Sequence, residues 1–302
     1  MAADYQVVFG GFAIGDLTDY DIVDISGLEG LEVRSNDVTR PAGWGAITQA
    51  AFVNAKVIDI EVECPADPTL LRALEAAFTP PGLDAPSALV DTTIKFPGRE
   101  EWLLRTRCAR RGRSRNIQSE LGLTSIVLQL EAPDPRLYSS TLSQASSPAF
   151  VVEGGGLDLT AGSGAGLGID LTVGSGTGLA VDLSAVVGSG LVTVINTGTV
   201  ATFPTVTFTA PSGMSQFRLS NLTTGEVADF VQTVNPGESF IVDWTPDAAL
   251  PVSIGGASRY SSWQAPRVAL RIAPGSNLFR FDVLVGVASG AQALVQWRSA
   301  EI

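Results

Sequence analysis

Residues 124–132 alternate between apolar and polar positions. Ile126, Leu128, Leu130 and Ala132 fall on one side, with Gln129 and Glu131 on the other. Side chains alternate across a pleated strand, so this period of two predicts a strand with one buried face. Residues 57–64 repeat it, with Ile58, Ile60 and Val62 set against Asp59, Glu61 and Glu63. Further strands are predicted at 5–9, 20–25, 92–96 and 102–109. Residues 34–45 carry Pro41, Gly43 and Trp44 and read as a loop. One stretch changes period. Asp67 is placed as an N-cap with Pro68 in the first helical position, and Leu70, Leu71, Leu74 and Phe78 line one face before Thr79-Pro80-Pro81-Gly82 ends the helix.

Pro133 and Pro135 remove two backbone donors, so the sheet cannot simply continue past residue 132. Beyond Tyr138 the chain becomes rich in Ser and Gly. Between 154 and 190 a unit recurs: Asp158, Asp170 and Asp182 stand twelve apart, each unit followed by Gly-Ser-Gly. From Leu191 onward the pattern is almost entirely strand. Val206, Phe208 and Ala210 alternate with Thr205, Thr207 and Thr209, and Phe240 and Val242 follow an Asn235-Pro236-Gly237 turn. Val268, Leu270 and Ile272 alternate with Arg267, Ala269 and Arg271. Phe279, Phe281, Val283 and Val285 are set to pair with Ala291, Ala293, Val295 and Trp297 across Ala288-Ser289-Gly290. The fold class is mainly β with two domains. An N-terminal β domain with one packed helix spans 1–140, a Gly/Ser-rich repeat segment 141–190 leads into the second domain, and a C-terminal antiparallel β-sandwich spans 191–302.

Composition narrows the chemistry. At 302 residues, 45% of them hydrophobic, the chain can fill a core in each half. A net charge of −12 argues against nucleic acid as a partner, since a basic surface is needed to displace counterions. There is no histidine, which removes the commonest general base and metal ligand. No catalytic residue, cofactor or metal site is expected. The Gly-Ser-Gly tracts match neither a dinucleotide nor a P-loop fingerprint. One aspartate per repeat is too sparse for calcium, so these carboxylates are read as solvent-facing. Cys64 and Cys108 are expected to be free thiols, Cys64 by its inward parity a small buried hydrophobe. Neither a signal peptide nor a membrane span is recognised.

Two groups of residues stand out as candidate contact surfaces. Arg105, Arg107, Arg110, Arg111, Arg113 and Arg115 lie within eleven residues of an acidic chain, and only Lys56 and Lys95 are lysines. Strand parity puts Arg105 and Arg107 together on one face, with Arg110 to Arg115 forming the tip of a hairpin or loop around Gly112. That tip is either a solvated loop or an arm that pairs with carboxylates on a neighbouring subunit, a task suited to the planar guanidinium. In the second domain Trp244, Tyr260 and Trp263 could form a stacking platform for a glycan, although core and edge packing is the commoner fate of such rings.

Three stretches carry a family resemblance. Glu131-Ala-Pro-Asp-Pro-Arg-Leu-Tyr-Ser139 closes a strand near mid-chain, Asn196-Thr-Gly-Thr-Val-Ala-Thr-Phe-Pro-Thr-Val-Thr-Phe208 opens the second domain, and Pro274-Gly-Ser-Asn-Leu-Phe-Arg-Phe281 with Leu294-Val-Gln-Trp297 closes it. In order and spacing they resemble the distal tail proteins of long-tailed phages, of the type called minor tail proteins in phages of actinobacteria. The resemblance implies a galectin-like sandwich and a structural virion protein of the tail tip, assembled in the host cytoplasm. It implies a hexameric ring made by the N-terminal domain, with the sandwich facing outward. The ring would join the tail tube protein to the tail-tip hub or tail-associated protein, with the tape measure protein as a further partner. The 154–190 repeat departs from the family, whose equivalent stretch is shorter and richer in Trp and Pro. The alternative is a glycan-binding adsorption protein acting through the second domain.

Overall fold

The computed structural model describes residues 4–30, 32–35, 38–39, 46–47, 51–80, 89–114, 122–150, 190–246 and 248–302. The repeat and its three aspartates, like Arg115, lie outside the described residues.

Two hydrophobic clusters organise the chain. The first gathers side chains from Val7 to Leu137, the second from Ala149 to Trp297. Around the first runs an antiparallel sheet in the order Phe12–Gly15, Gln6–Phe9, Val90–Lys95, Trp102–Ser114, Leu123–Ala132, Lys56–Pro65, Asp21–Ser26. Lys56–Pro65 and Leu123–Ala132 pair over their whole length, and Ile58, Ile60, Val62, Ile126, Leu128 and Leu130 are buried as their parity requires. Cys64 and Cys108 are free and buried. Gly10 and Gly11, both at positive φ, close the hairpin that sets Phe9 opposite Phe12, the two-residue turn that glycine pairs favour.

The helix spans Pro68–Ala77, and Asp67 caps it by accepting from the Thr69 amide at 2.7 Å. Leu71, Leu74 and Phe78 press into the first cluster, where Phe78 stacks on Phe9 with ring centroids 4.7 Å apart. Within the stretch read as a loop at 34–45, residues 34–35 and 38–39 are strand, while Pro41, Gly43 and Trp44 lie outside the described residues. Val33–Ser35 pairs with Ala51–Val53, and Val38–Thr39 with Ala46–Ile47.

The second cluster lies between two antiparallel sheets. One runs Ser143–Pro148, Gln292–Trp297, Thr205–Thr209, Ser239–Asp243, Val252–Ile254, Ala257–Ser258. The other runs Leu191–Asn196, Gly275–Gly286, Met214–Asn221, Glu226–Val234. The hairpin expected between 279–285 and 291–297 does not form. Gly275–Gly286 and Gln292–Trp297 belong to opposite sheets, because the chain crosses the sandwich at Ala288-Ser289-Gly290. Nor is 267–272 a strand. Only Ile272 bridges, to Thr202, although Leu270 and Ile272 are buried as the alternation requires.

The ends flanking the repeat lie against each other. Phe150 and Gly190 both bond the backbone of Phe281, and the Ser147 hydroxyl donates to the Gly190 carbonyl at 2.6 Å. The first cluster contains no residue beyond Leu137. A chain ending at Ser140 is therefore expected to be soluble and to melt cooperatively. Random-coil circular dichroism from that fragment would show that the first cluster needs the sandwich.

Candidate assembly surface

The arginine run is continuous strand, not the tip of a loop. Trp102–Ser114 pairs with Leu123–Ala132 as far as Ser114, and the register shifts between Cys108 and Arg110, leaving Ala109 as a bulge. One extra residue reverses the parity beyond it. Arg105, Arg107 and Arg110 therefore face outward, while Arg111 and Arg113 stand opposite the buried Leu128 and Ile126, on the helix side. Arg107 pairs with Glu131 at 2.8 Å and Arg105 with Asp91 at 3.4 Å. The Arg111 guanidinium donates to the carbonyls of Glu75 and Phe78, satisfying the end of the helix where a cation is favoured. Arg113 reaches the Thr124 hydroxyl at 3.5 Å. Arg110 is exposed and has no side-chain partner among the described residues.

The five described arginines are thus divided between the two faces of the sheet. Arg111→Ala is expected to cost about 1.5–3 kcal/mol, the range for hydrogen bonds to a charged group. Arg110→Ala should stay within about 0.5 kcal/mol, as exposed substitutions usually do. Urea unfolding of the two variants checks the contrast.

The aromatic platform is not assembled. Trp244 and Trp263 are each 6% exposed and belong to the second cluster, Trp263 stacked on Phe230 at 6.3 Å. Their faces are covered, so a sugar ring cannot stack on them. Only Tyr260 is exposed, and Arg267 lies over its ring at 4.8 Å. Both indoles flank Phe230 at an end of the core, a placement that strand alternation does not encode.

The motif residues meet at the junction of the two sheet systems. The Tyr138 hydroxyl donates to Asp134 Oδ2 at 2.6 Å, and Arg136 Nη1 donates to the same oxygen at 3.3 Å. Arg136 also lies over the Phe203 ring at 5.0 Å, tying the first unit to the second. Leu137–Ser139 pairs with Trp102–Ser114 on one side and with Ala300–Glu301 on the other, so the chain's last strand returns to the first sheet. Arg298 donates to the carbonyls of Ser139 and Ser140. Buried Asn196 serves as a corner. Its Nδ2 donates to Val200 and Ile272, and its Oδ1 accepts from Gly198 and Ala300. Asn277, nearby on the adjacent strand, plays a similar part, bonded to both the amide and the carbonyl of Ala273. A cleft of about 690 Å³ opens at the junction, lined by Asp91, Arg105, Arg136, Phe203, Trp297 and Arg298.

Burial, followed by the Asp134 charge, pushes the Tyr138 phenol well above the ordinary 10.0. A raised folded-state value stabilises fully below 10.0, and the contribution is lost as pH climbs toward the folded value. Stability should therefore fall with pH above 10.0, less steeply in Tyr138→Phe. Tyr20 is raised as well, chiefly by burial, as are Cys64 and Cys108 from 9.0, so the thiols begin to lower stability sooner, while Lys56, lowered by burial, works the other way. Urea midpoints across the alkaline range read the difference.

No family model matches the sequence, and no curated protein matches it. Solved structures do. The Dit protein (gp 19.1) of phage SPP1 aligns over 98% of this chain and 99% of its own, at TM-score 0.63 and 10% identity. This chain has the Dit fold. The likeness runs through the first sheet, the junction and the sandwich. The SPP1 protein is described as a paradigm of the hub adsorption apparatus in phages infecting Gram-positive hosts. Chains of the phage P2 baseplate in its activated conformation, solved with Ca and with Sr, align over 96% of this chain at TM-score 0.47 and 10% identity. They cover 97% and 96% of those chains, and at that score the likeness carries no weight.

Among the described residues no group of three or more His, Cys, Asp or Glu could hold a metal ion. No described helix is long and apolar enough to cross a membrane.

Proposed function

We propose that this chain is a distal tail protein: a structural component of the virion whose ring joins the tail tube of a long-tailed phage to its tip complex. The observation that supports it best is the end-to-end correspondence with SPP1 Dit. A shared sandwich alone would say little, because sandwiches host many functions. Here the match extends over both units and the junction between them. The three sequence stretches that resemble the family supply independent support, and they favour the actinobacteriophage type. The role is binding and scaffolding, with no chemical step.

A closed ring requires a head-to-tail interface whose rotation returns to its start. Six copies, with the tail tube protein on one side and the tail-tip hub on the other, are the arrangement the resemblance implies, with the tape measure protein as a further partner. The adsorption reading rested on Trp244, Tyr260 and Trp263, and the burial of the two indoles leaves only Tyr260 exposed for it. Deleting the gene from the phage tests the proposal. Tails that end without a tip complex, and regain it on complementation, are expected. Tips assembled normally in the deletion would overturn it.

A further inference from the structure

The junction between the two units encloses more than the single cleft already described. That cleft of about 690 Å³ shares Asp91, Leu103 and Arg298 with a second one of about 450 Å³, lined also by Gln6, Thr93 and Ser140. The two therefore join into one groove, which runs from the first sheet past Ser140 and Arg298 to Phe203 of the second unit. A cleft of this volume at a boundary between units is a usual place for a ligand. Two adjoining volumes with a common waist suit an extended chain better than a compact molecule.

Arg298 stands at the waist, since it lines both clefts. Its Nη1 donates to the carbonyls of Ser139 and Ser140, so the guanidinium is held in place before any ligand arrives. Burial pulls its pKa below the ordinary value, and Asp91 opposes the shift. A further carboxylate at that point would favour the charged form, in surroundings where an ion pair is worth more than in water. The other two guanidinium groups of the groove are matched within the chain. Arg105 pairs with Asp91 at 3.4 Å and Arg136 with Asp134 at 3.3 Å. The rest of the larger cleft is mostly apolar, with Leu142, 50% exposed, on the same wall as Phe203, Pro133 and Pro135. In the smaller cleft Gln6, Thr93 and Ser140 supply donors and acceptors of the kind that meet a peptide backbone.

We propose that this groove takes an extended segment of another protein, with one acidic side chain set on Arg298 and apolar side chains set against Leu142 and Phe203. The guanidinium fork matches a carboxylate through parallel hydrogen bonds, which a point charge does less well. The polar cleft receives the segment's backbone, and the apolar one removes its neighbouring side chains from water. Because the groove has walls on both units, its occupant also holds the junction together. The inference uses the groove alone and does not depend on a ring, so the failure of either reading leaves the other standing.

Selection from a random dodecapeptide library on the full-length protein tests it. The recovered peptides are expected to share an Asp or Glu flanked by apolar residues. Changing that residue to Asn or Gln should lower their affinity about tenfold or more. Leu142→Asp should weaken them by a similar factor and melt like wild type, because the leucine is exposed. Arg298→Lys keeps the charge but loses the fork, so it should weaken them too. If its melting also falls, Leu142→Asp decides the matter. Bound peptide should slow hydrogen exchange at Ser139, whose amide bonds the Ser299 carbonyl beside the waist. A selection that yields no shared acidic residue, or peptides that bind Leu142→Asp as tightly as wild type, would overturn the proposal. Acetylaspartate amide displacing the peptides at their own concentration would overturn it as well, since a carboxylate alone would then account for the site.

Discussion

Phe208→Ala is expected to remove about 3–5 kcal/mol from the sandwich, the usual range for deleting a buried phenylalanine ring. Phe208 is fully buried, and its ring lies 5.0 Å from Phe217 and 5.3 Å from Phe281, with Phe230 and Phe240 just beyond. These rings come from both sheets, so neither sheet can close the void by a local shift. Domains are stable by only about 5–15 kcal/mol, and a loss of this size is a large share of the total. Ile241→Ala, on the adjacent strand but 36% exposed, should cost far less. Urea unfolding followed by tryptophan fluorescence separates them, since Trp244 and Trp263 sit in the same core. A Phe208→Ala loss under about 1 kcal/mol would mean that the ring cluster collapses around the gap.

Gly198→Val should act on the junction rather than on the core. A Cβ at Gly198 would fall 1.9 Å from the Ala300 carbonyl oxygen and 2.7 Å from its amide nitrogen, and backbone atoms cannot swing aside. The Ala300 carbonyl accepts the Val200 amide at 3.1 Å, and the same residue pairs with Tyr138. Overpacking of this kind costs about 1–3 kcal/mol. The last strand is expected to leave the edge of Leu137–Ser139 while both clusters stay folded. Hydrogen exchange reads this as lost protection at Ser139, whose amide bonds the Ser299 carbonyl at 2.8 Å, with the sandwich strands unchanged. Protection retained at Ser139 would show that the junction holds without the Ala300 contact.

How far the sequence led depends on how local each signal is. Asp67 and Pro68 define their helix within one turn, and the alternation at 124–132 is complete in itself, so both were legible. The Phe12–Gly15 strand was overlooked although Gly10-Gly11 between apolar runs is a hairpin signal. The arginine run misled because one bulged residue, Ala109, reverses everything after it, and nothing in the residue types announces a bulge. Alternation did find Phe279, Phe281, Val295 and Trp297 as inward positions, but it carries no information on which sheet each strand joins. The return of Ala300–Glu301 to the first sheet is a pairing across much of the chain. Of the candidate residues, Arg110 kept an exposed outward position, Arg111 became part of the helix end, and Trp244 and Trp263 became core. The motif residues Asp134, Arg136 and Tyr138 were recognisable by resemblance, yet their physical task, clamping the two units through Phe203, appears only when the partners are in place.

Native mass spectrometry of the wild-type protein, at increasing concentration, tests ring formation most directly. The expected result is one discrete species of six 31.4 kDa chains, with no ladder above it, because a head-to-tail contact that closes leaves no free end. A chain that stays monomeric at every concentration, or an open series that lengthens without limit, would contradict it.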